Sequence, residues 1–208
     1  MQAFFPVRTL KVLAIVLALS CSSGCIASRM EATTNRPIED AMNVFVRSGI
    51  EQHRMDTAII FKFTVPPETD SASDSITAAF QSRLVQRRPF RELKALPVTV
   101  KSDTEALWYV RNEGYDLAIV PYVIYLMDGT GALPTRLVLR TRIVDARTNQ
   151  VLWDVKQSAF SEPGLDVDLF WNTLPGKPAQ KAHALADDLA GRFADFLIQP
   201  TEKESDRL

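Results

Sequence analysis

The sequence predicts a mixed α/β fold: an α+β sandwich in which a mixed sheet carries a C-terminal antiparallel meander and helices pack mainly on one of its faces. Three observations predict it. Through the first half of the chain, segments whose apolar residues recur every three or four positions alternate with β-rich runs. Beyond residue 115, three β-rich segments follow one another with only turn material between them. A final stretch, PAQKAHALADDLAGRFADFL, returns to helical spacing. Helices between early strands, then a meander, then a closing helix make a layered sheet-and-helix domain.

The first residues have another character. Arg8 and Lys11 give a positive start, Val12 to Leu19 an unbroken apolar run, and LAIVLALSCSSGC holds both cysteines of the chain. Two soft ligands with no histidine nearby cannot fill a tetrahedral metal shell, and a disulfide between them would close too short a loop to constrain the unfolded chain much. The run is shorter than the roughly 20 apolar residues of a membrane-spanning helix. It reads as a secretory signal, with parts arranged like the bacterial lipoprotein signal, in which cleavage leaves a lipidated cysteine. Leu17-Ala18-Leu19-Ser20 is apolar and ends small, which favours Cys21; Cys25 follows a suitable Gly24 but polar Ser22 and Ser23. An ordinary cut near Ala27, discarding both thiols, is the remaining alternative. The expected organisation is a signal over 1–20, a polar tether over 21–37, one domain over 38–198 and a disordered tail over 199–208. Losing Arg8 and Lys11 leaves 22 basic residues against 25 acidic ones, near −3, with no bulk attraction for nucleic acid.

Within the domain, Ile38, Ala41, Met42, Phe45, Val46, Gly49 and Ile50 predict a first amphipathic helix. TAIIFKFTVPP, rich in β-branched and aromatic residues and stopped by Pro66-Pro67, predicts a strand. Ile76, Ala79, Phe80, Leu84 and Val85 predict a helix capped by Ser73 or Asp74, and RELKALPVTV a short strand. SDTEALWYVRNEGYD predicts a helix capped by Ser102 or Asp103 and closed by Gly114. The meander is LAIVPYVIYLMDG, TRLVLRTRIVDA and QVLWDVKQSAF, the last two joined by a tight turn in DARTNQ. Alternation along the middle strand puts Thr135, Leu137, Leu139, Thr141 and Ile143 on one face and Arg136, Val138, Arg140, Arg142 and Val144 on the other.

Two segments carry a resemblance. YDLAIVPYVIYLMDG is an apolar strand ending in a polar turn, and IVDARTNQVLWDV is a hairpin of strand, Asp, short turn, then strand with a central Trp. On these the region from about 57 to 197 resembles the periplasmic lipoprotein group of the curli-secretion channel protein CsgG, the N-terminal domain of TolB, the penicillin-binding-protein activator LpoB and the Pel-polysaccharide lipoprotein PelC. Asn149 departs mildly, standing where the group more often has Gly. The resemblance implies a lipoprotein of the outer membrane facing the periplasm, acylated (palmitate among the chains), that assembles with itself or with an envelope protein in export or biogenesis. A tether of 21–37 at about 3.5 Å per residue is short for reaching a cell-wall synthase. Without long amphipathic hairpins the chain is not expected to form its own barrel. A membrane-proximal, PelC-like role fits best. The alternatives are a monomeric module binding an anionic glycan or lipid, and a synthase activator.

No catalytic chemistry is expected. His53 and His183 form no metal-binding pair, and nucleophile elbows and phosphate loops are missing from the sequence. Asp128, Asp145 and Asp154 fall near strand ends, where Asp commonly bonds its own backbone. No cofactor, metal or nucleic acid is expected. The candidate contact surface is Arg136, Arg140 and Arg142 together with Phe170 and Trp171, from the apolar, Pro- and Gly-interrupted SEPGLDVDLFWNTLPGKP. Asp128, Asp154, Asp166 and Asp168 of a neighbouring copy are the expected acids facing the arginines. Arg83, Arg87, Arg88, Arg91 and Lys94 form a second basic group, Trp108 is a further candidate contact, and Trp153 is expected in the core.

Overall fold

The structure is a computed structural model, and it describes residues 38–39, 42–129 and 132–200. The signal, the tether, Cys21, Cys25 and most of the C-terminal tail lie outside these residues. The strands are β1 (Ile38–Glu39), β2 (Asn43–Arg47), β3 (Thr57–Phe61), β4 (Glu92–Leu96), β5 (Leu117–Met127), β6 (Thr135–Asp145), β7 (Val151–Ser161), β8 (Val167–Leu169) and β9 (Asn172–Leu174). The helices are α1 (Ser73–Arg87), α2 (Asp103–Asn112) and α3 (Ala182–Ile198). Among the described residues, seven strands form one sheet in the order β1-β7-β6-β5-β3-β4, with β2 also on β7, while β8 and β9 form a separate hairpin. β3 runs parallel to β4 and β5; the other pairings are antiparallel. The mixed α/β class and the C-terminal meander are as the sequence predicts.

The expected helix over 38–53 is replaced by β1, β2 and a 3-10 turn at Ile50–Gln52. NVFVR has β-branched and aromatic residues that suit a pleated strand as well as a helix. The eleven-residue edge of β7 decides the matter by offering unpaired backbone groups along its length. β2 takes them up, with a bulge between Val44 and Val46, and Ile50 turns into the core.

α1 and α3 cover one side of the sheet. Phe63, Phe80 and Phe193 stack in sequence, with ring centroids 4.8 and 5.9 Å apart. Trp153 is buried beneath Phe90 and His53. Within that core Gln157 donates to the Leu189 carbonyl, fastening β7 to α3 at 3.1 Å. α2 covers part of the opposite side, where Ile59, Phe61, Ala106, Val110, Val120 and Val144 cluster.

Local chemistry sets the element ends. Ser102 caps α2 by accepting from the Glu105 N–H, and Gly114 follows with φ +74°. Asn149 takes φ 61° in the β6–β7 turn, where Asp145 accepts from the N–H groups of Arg147 and Thr148. Ser73 does not cap α1. Its hydroxyl donates to the Phe63 carbonyl and so pins the helix to the exit of β3, while the preceding Ala72 provides no side-chain cap.

Candidate functional site: an open sheet face and an apolar hairpin

The register of β5, β6 and β7 builds the first surface. Successive cross-strand rows on the side away from α1 and α3 read Val120, Arg142, Asp154, Val46; then Tyr122, Arg140, Lys156, Asn43; then Tyr125, Val138, Ser158; then Met127, Arg136, Phe160. Rows lie about 7 Å apart along the strands. α2 lies over the first of these strands' lower ends only, so Phe45, Tyr125 and Met127 remain exposed.

Two of the three predicted arginines are held by this chain's own carboxylates. Arg140 donates from Nε and Nη2 to Asp154 at 2.9 and 2.7 Å, the fork geometry that makes Arg–carboxylate pairs strong. Arg142 pairs with Asp103 at 2.7 Å and stands 3.8 Å from Asp154. Asp103 opens α2, so Arg142 also ties that helix to the sheet. The hydrogen bond from Arg140 to Asp154 keeps the guanidinium more firmly protonated than an ordinary arginine. Its Cζ also sits 5.5 Å from the centre of the Phe45 ring. Burial and the nearby Asp103 push the Tyr122 hydroxyl up. Arg136 and Lys156 make no ion pair among the described residues. The acids expected from a neighbouring copy are engaged at home. Asp154 serves Arg140, Asp128 accepts from the first N–H of α3, Asp166 from Gly176 N–H and Asp168 from the Thr173 hydroxyl. Asp128 therefore bonds α3 rather than its own turn.

Phe170 and Trp171 sit apart from the arginines, at the tip of the β8–β9 hairpin. They are 104% and 84% exposed, and Leu165 near the base is 89% exposed. The base is closed by Gly164 N–H to Lys177 carbonyl and Gln180 N–H to the Ser161 hydroxyl. No hydrogen bond or ring contact joins the hairpin tip to the arginine face among the described residues. The hairpin leaves the sheet where β7 ends, the same end at which Ile38 of β1 stands opposite Phe160.

Three members of the second basic group are tied into the fold by ion pairs. Arg83 forks onto Asp187 and Arg87 pairs with Asp195, joining α1 to α3, while Lys94 pairs with Glu113. Trp108 is exposed on α2, and His183 is exposed. His53 is buried, its Nδ1 2.7 Å from Asp56. It belongs to a polar cluster at the opposite end of the sheet, where Arg147 reaches Asp56 and Asp145. Burial pushes the Asp116 carboxyl up there, but two hydrogen bonds from Thr57 and the charges of Arg147 and Arg91 outweigh it and hold the group below the usual range. Among the described residues no three His, Cys, Asp or Glu stand together as a metal site, and no helix is long and apolar enough to cross a membrane. Phe45, Tyr122, Tyr125 and Lys156 escaped the sequence reading. Their alignment depends on register across four strands and on two bulges, which no single-strand pattern encodes.

No family model matches the chain, and no curated protein matches it. Among solved structures, the fold is similar to the PelC dodecamer from Paraburkholderia phytofirmans, at 15% identity and TM-score 0.55, covering 77% of this chain and all of that one. A variant of the same dodecamer gives 13% identity and TM-score 0.54, over 76% and 98% of the two chains. Lipoprotein GNA1162 from Neisseria meningitidis aligns over 49% of this chain and 78% of its own, at 18% identity and TM-score 0.35. The likeness to PelC is one of fold, spanning the whole of that chain.

Proposed function

We propose that this chain is a lipid-anchored envelope protein that assembles with copies of itself on a membrane surface, as a structural and non-catalytic part of an export or biogenesis apparatus. One observation carries the reading. Ile38, which would follow the proposed tether, pairs with the end of β7 from which the chain runs on to the hairpin bearing Phe170 and Trp171. Acylation of Cys21 would keep the chain near a bilayer, where exposed Trp and Phe side chains partition into the interface. Ser22 lacks the acidic character associated with inner-membrane retention in enteric bacteria, so the outer membrane is the expected destination. Fold likeness to a protein described as a dodecamer supports self-assembly, and ring closure suits repeated head-to-tail contacts. Arg140 and Arg142 are already paired within the chain, so those contacts need not draw on their charges.

The test is the mass of the mature N-terminus together with fractionation. The expected result is a triacylated Cys21 in outer membranes, released to the periplasm by Cys21→Ser. An unmodified terminus after Ala27, acylation of Cys25 alone, or sorting to the inner membrane would refute the corresponding part. Trp171→Ala in the Cys21→Ser form should weaken association with zwitterionic lipid vesicles while leaving the melt unchanged.

A further inference from the structure

We propose that the open side of the sheet binds an acidic polysaccharide, one whose sugar rings carry carboxylates. The inference goes beyond anchoring and assembly and depends on neither. Four cations, Arg136, Arg140, Arg142 and Lys156, project from this side against two carboxylates, Asp154 and Asp103. The surplus resides on Arg136 and Lys156, which have no ion pair among the described residues. Arg136 stands opposite Phe160, four residues along β7 from Lys156 and so about 13 Å away along the strand. A ligand meeting both must be extended and carry repeated negative charge.

Rings occupy the positions between these charges. Tyr122 neighbours Arg140, Tyr125 lies in the next row, and Phe45 stands over Arg140 with most of its surface open. Flat aromatic faces stack on the C–H faces of sugars, and cations between them meet carboxylates on the same polymer. The fork onto Asp154 fixes Arg140, so Phe45 and Arg140 form a stiff platform that loses little freedom on binding. A folded protein partner fits less well. The centre of a protein interface is depleted in charge, whereas three of the four rows here contain a cation. The hairpin of a second copy fits less well too, because Asp166 and Asp168 bond within their own hairpin.

The experiment uses the full chain in detergent and short end-labelled polygalacturonate, read by fluorescence anisotropy at physiological salt. Poly-L-glutamate supplies carboxylates without rings, and oligothymidylate supplies rings with phosphates. Polygalacturonate should bind, and at least about tenfold more tightly than either comparison polymer. Arg136→Gln with Lys156→Gln should lower its affinity about tenfold, near the worth of one charge-assisted contact, and flatten its salt dependence. Tyr125→Ala should lower affinity severalfold, with the melting temperature of both variants unchanged. Absence of binding, equal or tighter binding of poly-L-glutamate or of oligothymidylate, or an unchanged affinity in the double variant would overturn the proposal.

Discussion

The two sides of β6 are built from alternate residues of one strand yet carry opposite chemistry. Leu137, Leu139 and Ile143 lie in the hydrophobic core under α1 and α3, and Arg136, Arg140 and Arg142 face outward on the side of Phe45 and Tyr122. Side chains on the closed side are fixed by packing from two layers. On the open side Arg140 and Arg142 are fixed by ion pairs with Asp154 and Asp103 instead, while Arg136 makes no ion pair among the described residues. The difference teaches that Arg140 and Arg142 need no neighbouring subunit for their order. What the open side leaves unspent is a pair of cations and several rings. Packing is therefore concentrated on one side and the proposed recognition on the other.

The most severe test of that division is Trp153→Ala. Its ring is buried among Phe90, His53 and the helices, so truncation should cost about 3 kcal/mol. For a domain of this size that is a fall in Tm of roughly 10 °C. An unchanged melt would break the comparison at once.

Asp154→Ala comes next. It strips the partner from Arg140 and the more distant of two acids from Arg142, whose side chains are 44% and 28% exposed, so water offsets part of the loss and about 1–2 kcal/mol is expected. Adding Arg140→Ala should recover part of that, since one unpaired charge then disappears. Strict additivity in the double-mutant cycle would show that the pair is incidental.

Asp116, at the end of the sheet where β5 begins, sharpens the contrast through pH. Its carboxyl is held below the usual range in the fold, so its contribution is complete above the unfolded value near 4 and is lost as pH falls through the lower folded value. Asp116→Asn should melt below the parent at pH 7, and the two curves should converge in acid. A constant gap down to pH 2 would contradict this. The smallest effect belongs to Arg136→Gln, within about 0.5 kcal/mol of the parent in a denaturant titration.

Most elements were legible in the sequence because their signals are local. Ser102 and Gly114 bracket α2, Asn149 accepts the left-handed turn, and the alternation of β6 reads directly as two faces. The failure over 38–53 has a definite cause: apolar spacing there satisfies a helix, but the unpaired edge of β7 lies more than a hundred residues away in sequence. The site divides in the same manner. Arg136, Arg140 and Arg142 are visible on one face of a single strand, whereas Asp154 as the internal partner of Arg140, and Phe45, Tyr122, Tyr125 and Lys156 as neighbours, emerge only from cross-strand register. The apolar character of Phe170 and Trp171 was plain from composition; their place beyond the end of β7 that pairs with β1 was not.

The proposed assembly on a membrane is tested most directly by native mass spectrometry of the full chain extracted from its membrane. The account predicts one closed homo-oligomer in which every subunit carries an acylated Cys21. A monomer, or an oligomer of subunits without the lipid, would contradict it.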